Sequence, residues 1–281
     1  MTTHKLTKEE TDRYADLNGT IIHYNEAGEG PTLMCFHGGG PGASAWGNTR
    51  HNIDALSQHF HVMLVDLPGF GESDKNARPP ENESSDVYLA RLLRDLLDSK
   101  GIEKSHLYSS SASGPPSLRF GIDYPDRVDK IIMQSSGVGG GPLMFSPSPA
   151  EGIKALGEFD REPTRERMAR MMHLFIPKDE LCTEEMIDAR FQAAMIPGHL
   201  EARRATRAGG GDILRDISRL KAPVLVVWGH QDWMVPVEGA LGALARIPDV
   251  RVHIWGGGTG HFVEYEKADE FNRLVIDFLT H

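Results

Sequence analysis

The chain is nearly free of cysteine, with two in 281 residues: Cys35 in an apolar run and Cys182 in a segment of helical period. Two such residues cannot form a disulfide framework, and isolated thiols of this kind are usually packing groups. There is no block of Lys and Arg, and 40 acidic against 30 basic residues leave a formal charge of −10. Nucleic acid and anionic membrane surfaces are therefore disfavoured partners. No apolar run is long enough to span a bilayer, and Met1 to Glu10 is polar and mixed in charge. Neither a membrane helix nor a signal peptide is expected, and a soluble cytoplasmic protein is. The histidines lack ligand spacing beside cysteine or paired carboxylates, so no metal and no organic cofactor are expected.

What is present is ordinary globular material, 40% hydrophobic and 25% charged, in a length that suits one large α/β domain carrying an insertion or two small domains. Short apolar runs at Thr20 to Tyr24, Thr32 to Phe36, His61 to Val65, Ser105 to Tyr108, Lys130 to Gln134, Pro223 to Trp228 and Val250 to Trp255 read as strands. Helical period appears at Asn52 to His59, Ser84 to Lys100, Pro115 to Tyr124, Pro236 to Ile247 and Lys267 to Phe278. This alternation predicts a mostly parallel sheet covered on both faces. It stops between Gly137 and Leu220, where a Gly/Pro/Ser-rich stretch leads into helical segments at Glu151 to Phe159, Thr164 to Phe175, Thr183 to Met195 and Leu200 to Ala208. The predicted organisation is an α/β core over 1–136, a helical cap over 137–220, and the core resumed over 221–281.

Four elements could carry chemistry. Ser111 follows a strand at a place suited to a nucleophile elbow, but the usual G-x-S-x-G reads here Ser109-x-Ser111-x-Ser113. Glycine is preferred at those positions because strand and helix approach closely around a strained nucleophile, whereas serine runs are commonly polar loops. Directly after Phe36, the loop His37-Gly-Gly-Gly-Pro-Gly42 can aim backbone N–H groups at one point. Gly38-x-Gly40-x-x-Ala43 with Asp66 also fits a loose dinucleotide fingerprint. Pro41 would interrupt the helical turn that such a fingerprint needs, and Asp66 opens a second glycine turn. Asp232 follows the strand ending at Trp228, and His261 ends the glycine-rich loop 256–260.

The order Ser111, Asp232, His261, each after a strand and with an insertion between the first two, belongs to the α/β-hydrolase fold. Ser111 is then the nucleophile, His261 its base and Asp232 the orienting acid, with Gly39 and Ala112 as oxyanion donors worth about 3 kcal/mol of barrier apiece.

The chain resembles the meta-cleavage product hydrolases, which cleave carbon–carbon bonds in aromatic and steroid ring degradation. The resemblance is carried by His37-Gly-Gly-Gly-Pro-Gly-Ala43 with Trp46-Gly-Asn48, by Asp66-Leu-Pro-Gly-Phe-Gly-Glu-Ser-Asp74, and by Tyr124-Pro-Asp-Arg-Val128. It continues in Phe145-Ser-Pro-Ser-Pro-Ala-Glu-Gly152, Asp188-Ala-Arg-Phe191, Trp228-Gly-His-Gln-Asp232 and Gly260-His261. It implies a 2-hydroxy-6-oxo-hexa-2,4-dienoate substrate, with Arg190 binding the carboxylate and Asn48 the dienoate end. Gly40, Ser110, Phe175 and Phe262 would complete the pocket, and Met171, Met172 and Leu174 are candidates for its distal part. A dimer or tetramer is also implied.

Ser110 stands where the family has asparagine, Phe262 where it has tryptophan, and Ser109 and Ser113 where it has the elbow glycines. Each added Cβ at the tight elbow is expected to cost on the order of 1 kcal/mol. The competing readings are an ordinary esterase, lactonase or amidase, a cofactor-free lyase or oxygenase, and a ligand-binding protein that has lost turnover.

Overall fold

The computed structural model describes residues 5–138, 149–207 and 213–281. Eight strands form one sheet: β1 (Asp12–Leu17), β2 (Thr20–Ala27), β3 (Thr32–Phe36), β4 (His61–Val65), β5 (Ser105–Ser110), β6 (Val128–Gln134), β7 (Val224–Gly229) and β8 (Val250–Trp255). Their order is β1-β2-β4-β3-β5-β6-β7-β8. β1 pairs antiparallel with β2 and β2 with β4, and every pairing from β4 to β8 is parallel.

β3, β5 and β7 are buried along their whole length, as strands covered on both faces must be. On one face Leu89, Leu92, Leu93 and Leu96 of the helix Ser85–Ser99 join Leu118 and Phe120 of the helix Gly114–Asp123. The spacing of the four leucines is the i, i+3, i+4, i+7 stripe of a one-sided helix. On the other face Phe271, Val275 and Phe278 of the helix Ala268–Thr280 cover Leu33, Leu225 and Val227.

The sequence pattern alone predicts no strand at β1. Its residues, Asp-Arg-Tyr-Ala-Asp-Leu, are polar because it is an edge strand with only Ala15 and Leu17 buried. The overlooked signal is Asn18-Gly19, whose φ values of 56° and 91° are those of a hairpin turn that favours this dipeptide. The helix expected over Asn52 to His59 is a single turn, Ile53–Leu56, and that expected over Pro236 to Ile247 is confined to Glu238–Leu244.

Between β6 and β7 all described elements are helical: Glu151–Arg161, Arg165–Phe175, Glu184–Ala194, His199–Arg207, and short turns from Ile213 to Arg219. Thr164 and Thr183 cap their helices by accepting the N–H groups of Arg167 and Met186. These helices share a core of their own, with Leu156, Phe159, Met168, Met171, Met172, Phe175 and Ile187. Much of the predicted Gly137 to Pro149 stretch, including Phe145 to Ser148 of the family resemblance, lies outside the described residues, as does Ala208. Among the described residues no helix is long and apolar enough to cross a membrane.

Candidate active site

Ser111 sits immediately beyond β5 with φ +54°, the left-handed backbone that a side chain adopts only when its surroundings enforce it. The serines around it tie the turn to the sheet. Ser113 Oγ accepts the Ser110 N–H at 2.9 Å and reaches the carbonyls of Ser110 at 2.8 Å and Phe36 at 3.3 Å, so it ties the elbow to the end of β3. Ser109 Oγ donates to the Ile132 carbonyl on β6 at 3.1 Å. The two Cβ atoms are accommodated because each carries a hydroxyl that bonds to backbone. The tight helix contact falls instead at Gly114, where a Cβ would collide with Ser136 Oγ.

The glycine loop after β3 packs on the elbow. A Cβ on Gly38 would approach Ser111 Cβ to 3.2 Å, and one on Gly39 would approach Ala112 Cβ to 2.9 Å. His37 is fully buried, bonded through Nε2 to the Leu67 N–H at 3.0 Å, and burial lowers its pKa. It supports the loop from behind. Asp66 is committed as well: Oδ1 accepts the Ala45 N–H, while Oδ2 accepts from His23 and the Glu72 N–H. With both oxygens used inside the core, the carboxylate is not free to hold a ribose.

Asp232 and His261 meet at the ends of β7 and β8. Asp232 Oδ2 lies 2.7 Å from His261 Nδ1, and Oδ1 accepts the N–H groups of Met234 at 2.8 Å and Val235 at 2.9 Å. The imidazole is held by its own backbone: the His261 N–H donates to Phe175 O at 2.8 Å, and its carbonyl accepts from Gln134 Nε2 at 3.1 Å and Ser135 Oγ at 3.3 Å. No hydrogen bond joins Ser111 Oγ to His261 Nε2 here, but both residues line one cavity of about 280 Å³ with Gly38, Gly39, Gly40 and Ala112. Such contacts commonly tighten only when substrate binds.

The distal wall of this cavity is apolar, formed by Ile153, Leu156, Phe175, Met234, Val235 and Phe262. Met171, a sequence candidate for that wall, is fully buried and lines neither this cavity nor its neighbour, and the wall is completed by Ile153, Leu156, Met234 and Val235. Phe175 and Phe262 stack at 4.7 Å with an interplanar angle of 9°. Ser110 is buried and lines neither this cavity nor its neighbour.

A second cavity, of about 520 Å³, shares Arg190 and Phe262 with the first and adds Asn48, Trp46, His51, Met172, Glu264 and Tyr265. Arg190 therefore stands between the two. Its Nε donates to Pro41 O at 2.7 Å and its Nη1 to Asn48 Oδ1 at 3.4 Å. Burial and the charge of Arg203 lower its pKa to about 10, which leaves it cationic at neutral pH. Among the described residues it has no carboxylate in salt-bridge contact.

Two residues of the helix His199–Arg207 are not among the sequence candidates. His199 accepts the Gly42 N–H through Nε2 at 2.9 Å, and its Nδ1 bonds Gly69 O at 3.0 Å. Arg203, fully buried, donates through Nε to Gly39 O at 2.8 Å and pairs with Asp160. They lie four residues apart on one helix face, so both grip the same glycine loop. That i, i+4 spacing is the only signal the sequence offers.

The residues from 33 to 274 match the alpha/beta hydrolase family. A 2-hydroxy-6-oxo-6-phenylhexa-2,4-dienoate hydrolase from Comamonas testosteroni is 39% identical to this chain, with 98% of both sequences aligned. A 2-hydroxy-6-oxononadienedioate/2-hydroxy-6-oxononatrienedioate hydrolase from Paraburkholderia phymatum is 36% identical, with 97% of both aligned. Among solved structures, a meta-cleavage product hydrolase from Pseudomonas fluorescens IP01 superimposes with a TM-score of 0.83 at 27% identity, over 97% of this chain and 99% of that one. The chain belongs to the alpha/beta hydrolase family and, within it, to the meta-cleavage product hydrolases.

Proposed function

We propose that this protein hydrolyses the C5–C6 bond of a 2-hydroxy-6-oxo-hexa-2,4-dienoate, with Ser111 as nucleophile, His261 as base and Asp232 as the acid that orients it. The observation that carries the substrate class is Arg190: a desolvated cation without a carboxylate in salt-bridge contact among the described residues, placed beside Asn48 and on the wall of the cavity that holds Ser111. A buried charge of this kind is stable when a ligand supplies the opposite one, and a planar guanidinium suits a carboxylate.

The dienol must first become a ketone, because C5 leaves only as a stabilised carbanion. The 2-hydroxyl loses its proton and C5 gains one, giving a 2,6-dioxo-3-enoate. His261 then takes the Ser111 proton as Oγ attacks C6, and the N–H groups of Gly39 and Ala112 receive the oxyanion. On collapse the C5–C6 bond breaks, its electron pair passes into the conjugated 2-oxo group, and protonation yields 2-hydroxypentadienoate. Water, activated by His261, releases the second fragment from Ser111 as a carboxylic acid. The apolar wall of Ile153, Leu156, Met234 and Val235 suits an uncharged substituent on C6. The same reading expects a cytoplasmic homo-oligomer, a dimer or tetramer, to be checked by light scattering.

The test is incubation with a yellow ring-fission product beside a simple aryl ester. Loss of the colour with release of hydroxypentadienoate is the expected result. Colour that persists while the ester is hydrolysed would move the protein to the esterases.

A further inference from the structure

Glu264 is a fully buried carboxyl for which the reaction above has no use. It lies three residues after His261, on the short helix Val263–Glu266. Its Oε2 accepts from Gln134 Nε2, the group that also donates to the His261 carbonyl, while Gln134 Oε1 takes the Tyr108 hydroxyl at 2.7 Å. Oε1 of Glu264 has no hydrogen-bond partner among the described residues, and neither has Nδ2 of Asn48. The Asn48 amide is near enough to favour the charged form of Glu264, yet it does not close a well-formed hydrogen bond to it. Both residues line the 520 Å³ cavity, with Arg190 and Phe262.

One wall thus holds an unsatisfied acceptor and an unsatisfied donor side by side, although a buried polar group without a partner is destabilising. Phe262 brings no hydrogen-bonding atom to that wall. A carbonyl would satisfy Asn48 Nδ2 and leave the carboxyl oxygen bare, and a carboxylate would face it with like charge. A hydroxyl satisfies both, because it donates to one and accepts from the other. Arg190, bonded to the far end of the same Asn48 amide, is placed for a carboxylate one carbon away.

We propose that Glu264, with Asn48, recognises the 2-hydroxyl of the dienoate beside the carboxylate held by Arg190, which makes Glu264 a specificity-determining residue of this site. The inference rests on the meta-cleavage reading above. Burial pushes the carboxyl up to about 7, and its ionised form is the acceptor that the hydroxyl meets.

The test uses muconate and 2-hydroxymuconate, six-carbon dienoates that differ in the 2-hydroxyl, titrated calorimetrically into Ser111→Ala protein. The hydroxylated acid should bind about 10-fold tighter or more, and adding Glu264→Leu should reduce that ratio to about 2 or less while changing muconate affinity less than about 2-fold. Glu264→Gln, which keeps the shape and an acceptor oxygen, should give an intermediate ratio. Equal binding of the two acids to Ser111→Ala, or a ratio that survives in Glu264→Leu, overturns the assignment and leaves the meta-cleavage reading standing. Parallel loss of both affinities in Glu264→Leu shows a merely structural residue and overturns it too. If neither acid binds Ser111→Ala, the assignment is overturned, and the meta-cleavage reading is judged separately by the loss of ring-fission colour in wild type.

Discussion

The Gly42 N–H donates to His199 Nε2 at 2.9 Å, so the loop that packs on Ser111 is fastened to the helix His199–Arg207 rather than to the sheet alone. Burial lowers the His199 pKa to about 4, which keeps the ring neutral and its Nε2 able to accept. His199→Ala leaves that N–H unpaired and should cost about 1–3 kcal/mol of stability. Because the freed loop carries Gly39, kcat should fall more than KM rises. Urea unfolding and steady-state kinetics on one preparation check both effects.

Asp232 spends one oxygen on His261 and the other on two backbone N–H groups. Asp232→Asn preserves the shape but presents an amide that no longer enforces the imidazole tautomer. A loss in kcat of roughly 10⁴-fold is expected, with the fold retained. Circular dichroism and kinetics of the purified variant test this, and a loss under about tenfold would show that Asp232 is not the orienting acid.

Ser113 occupies a position where the family has glycine, and its hydroxyl holds three backbone groups. Ser113→Ala keeps the Cβ and removes the bonds, so the Ser110 N–H loses its partner. The expected cost is about 1–3 kcal/mol in denaturant unfolding, with slower labelling of Ser111 by a serine-directed phosphonate. Ser113→Gly should not restore stability, because the contact that requires glycine is at Gly114.

Glu264 ionises in the fold at about 7, against an ordinary 4.5, because burial penalises its charged form. A folded-state value above the unfolded one makes a contribution that is fully present below pH 4.5 and lost as pH rises through 7. Wild type should therefore weaken between these limits relative to Glu264→Gln. The difference should be on the order of 3 kcal/mol at pH 8 and close to nothing near pH 4. Melting temperatures of the two proteins across that range give the measurement.

The strand-then-loop positions of Ser111, Asp232 and His261 are legible in the sequence because each follows a short apolar run, and parallel strands carry their chemistry at the C-terminal edge. Arg190 and Asn48 are legible only through family resemblance, since nothing in the spacing of residues 142 apart brings them together. β1 escapes notice because an edge strand need not be apolar. His199, Arg203 and Glu264 escape it for a different reason. A lone polar residue in a helix has no local pattern that marks it as buried, and its partners come from distant loops. The serines of the elbow look like a liability in the sequence, where their hydroxyl partners Phe36 O and Ile132 O cannot be seen.

The most direct test of Ser111 as the nucleophile of a carbon–carbon hydrolase is chromatographic quantification of both fragments from a ring-fission product, using wild type and Ser111→Ala. Wild type should release hydroxypentadienoate and the partner acid in equal amounts, and Ser111→Ala should bind the dienoate without releasing either. Absence of both fragments with wild type, or their formation at the wild-type rate by Ser111→Ala, would contradict it.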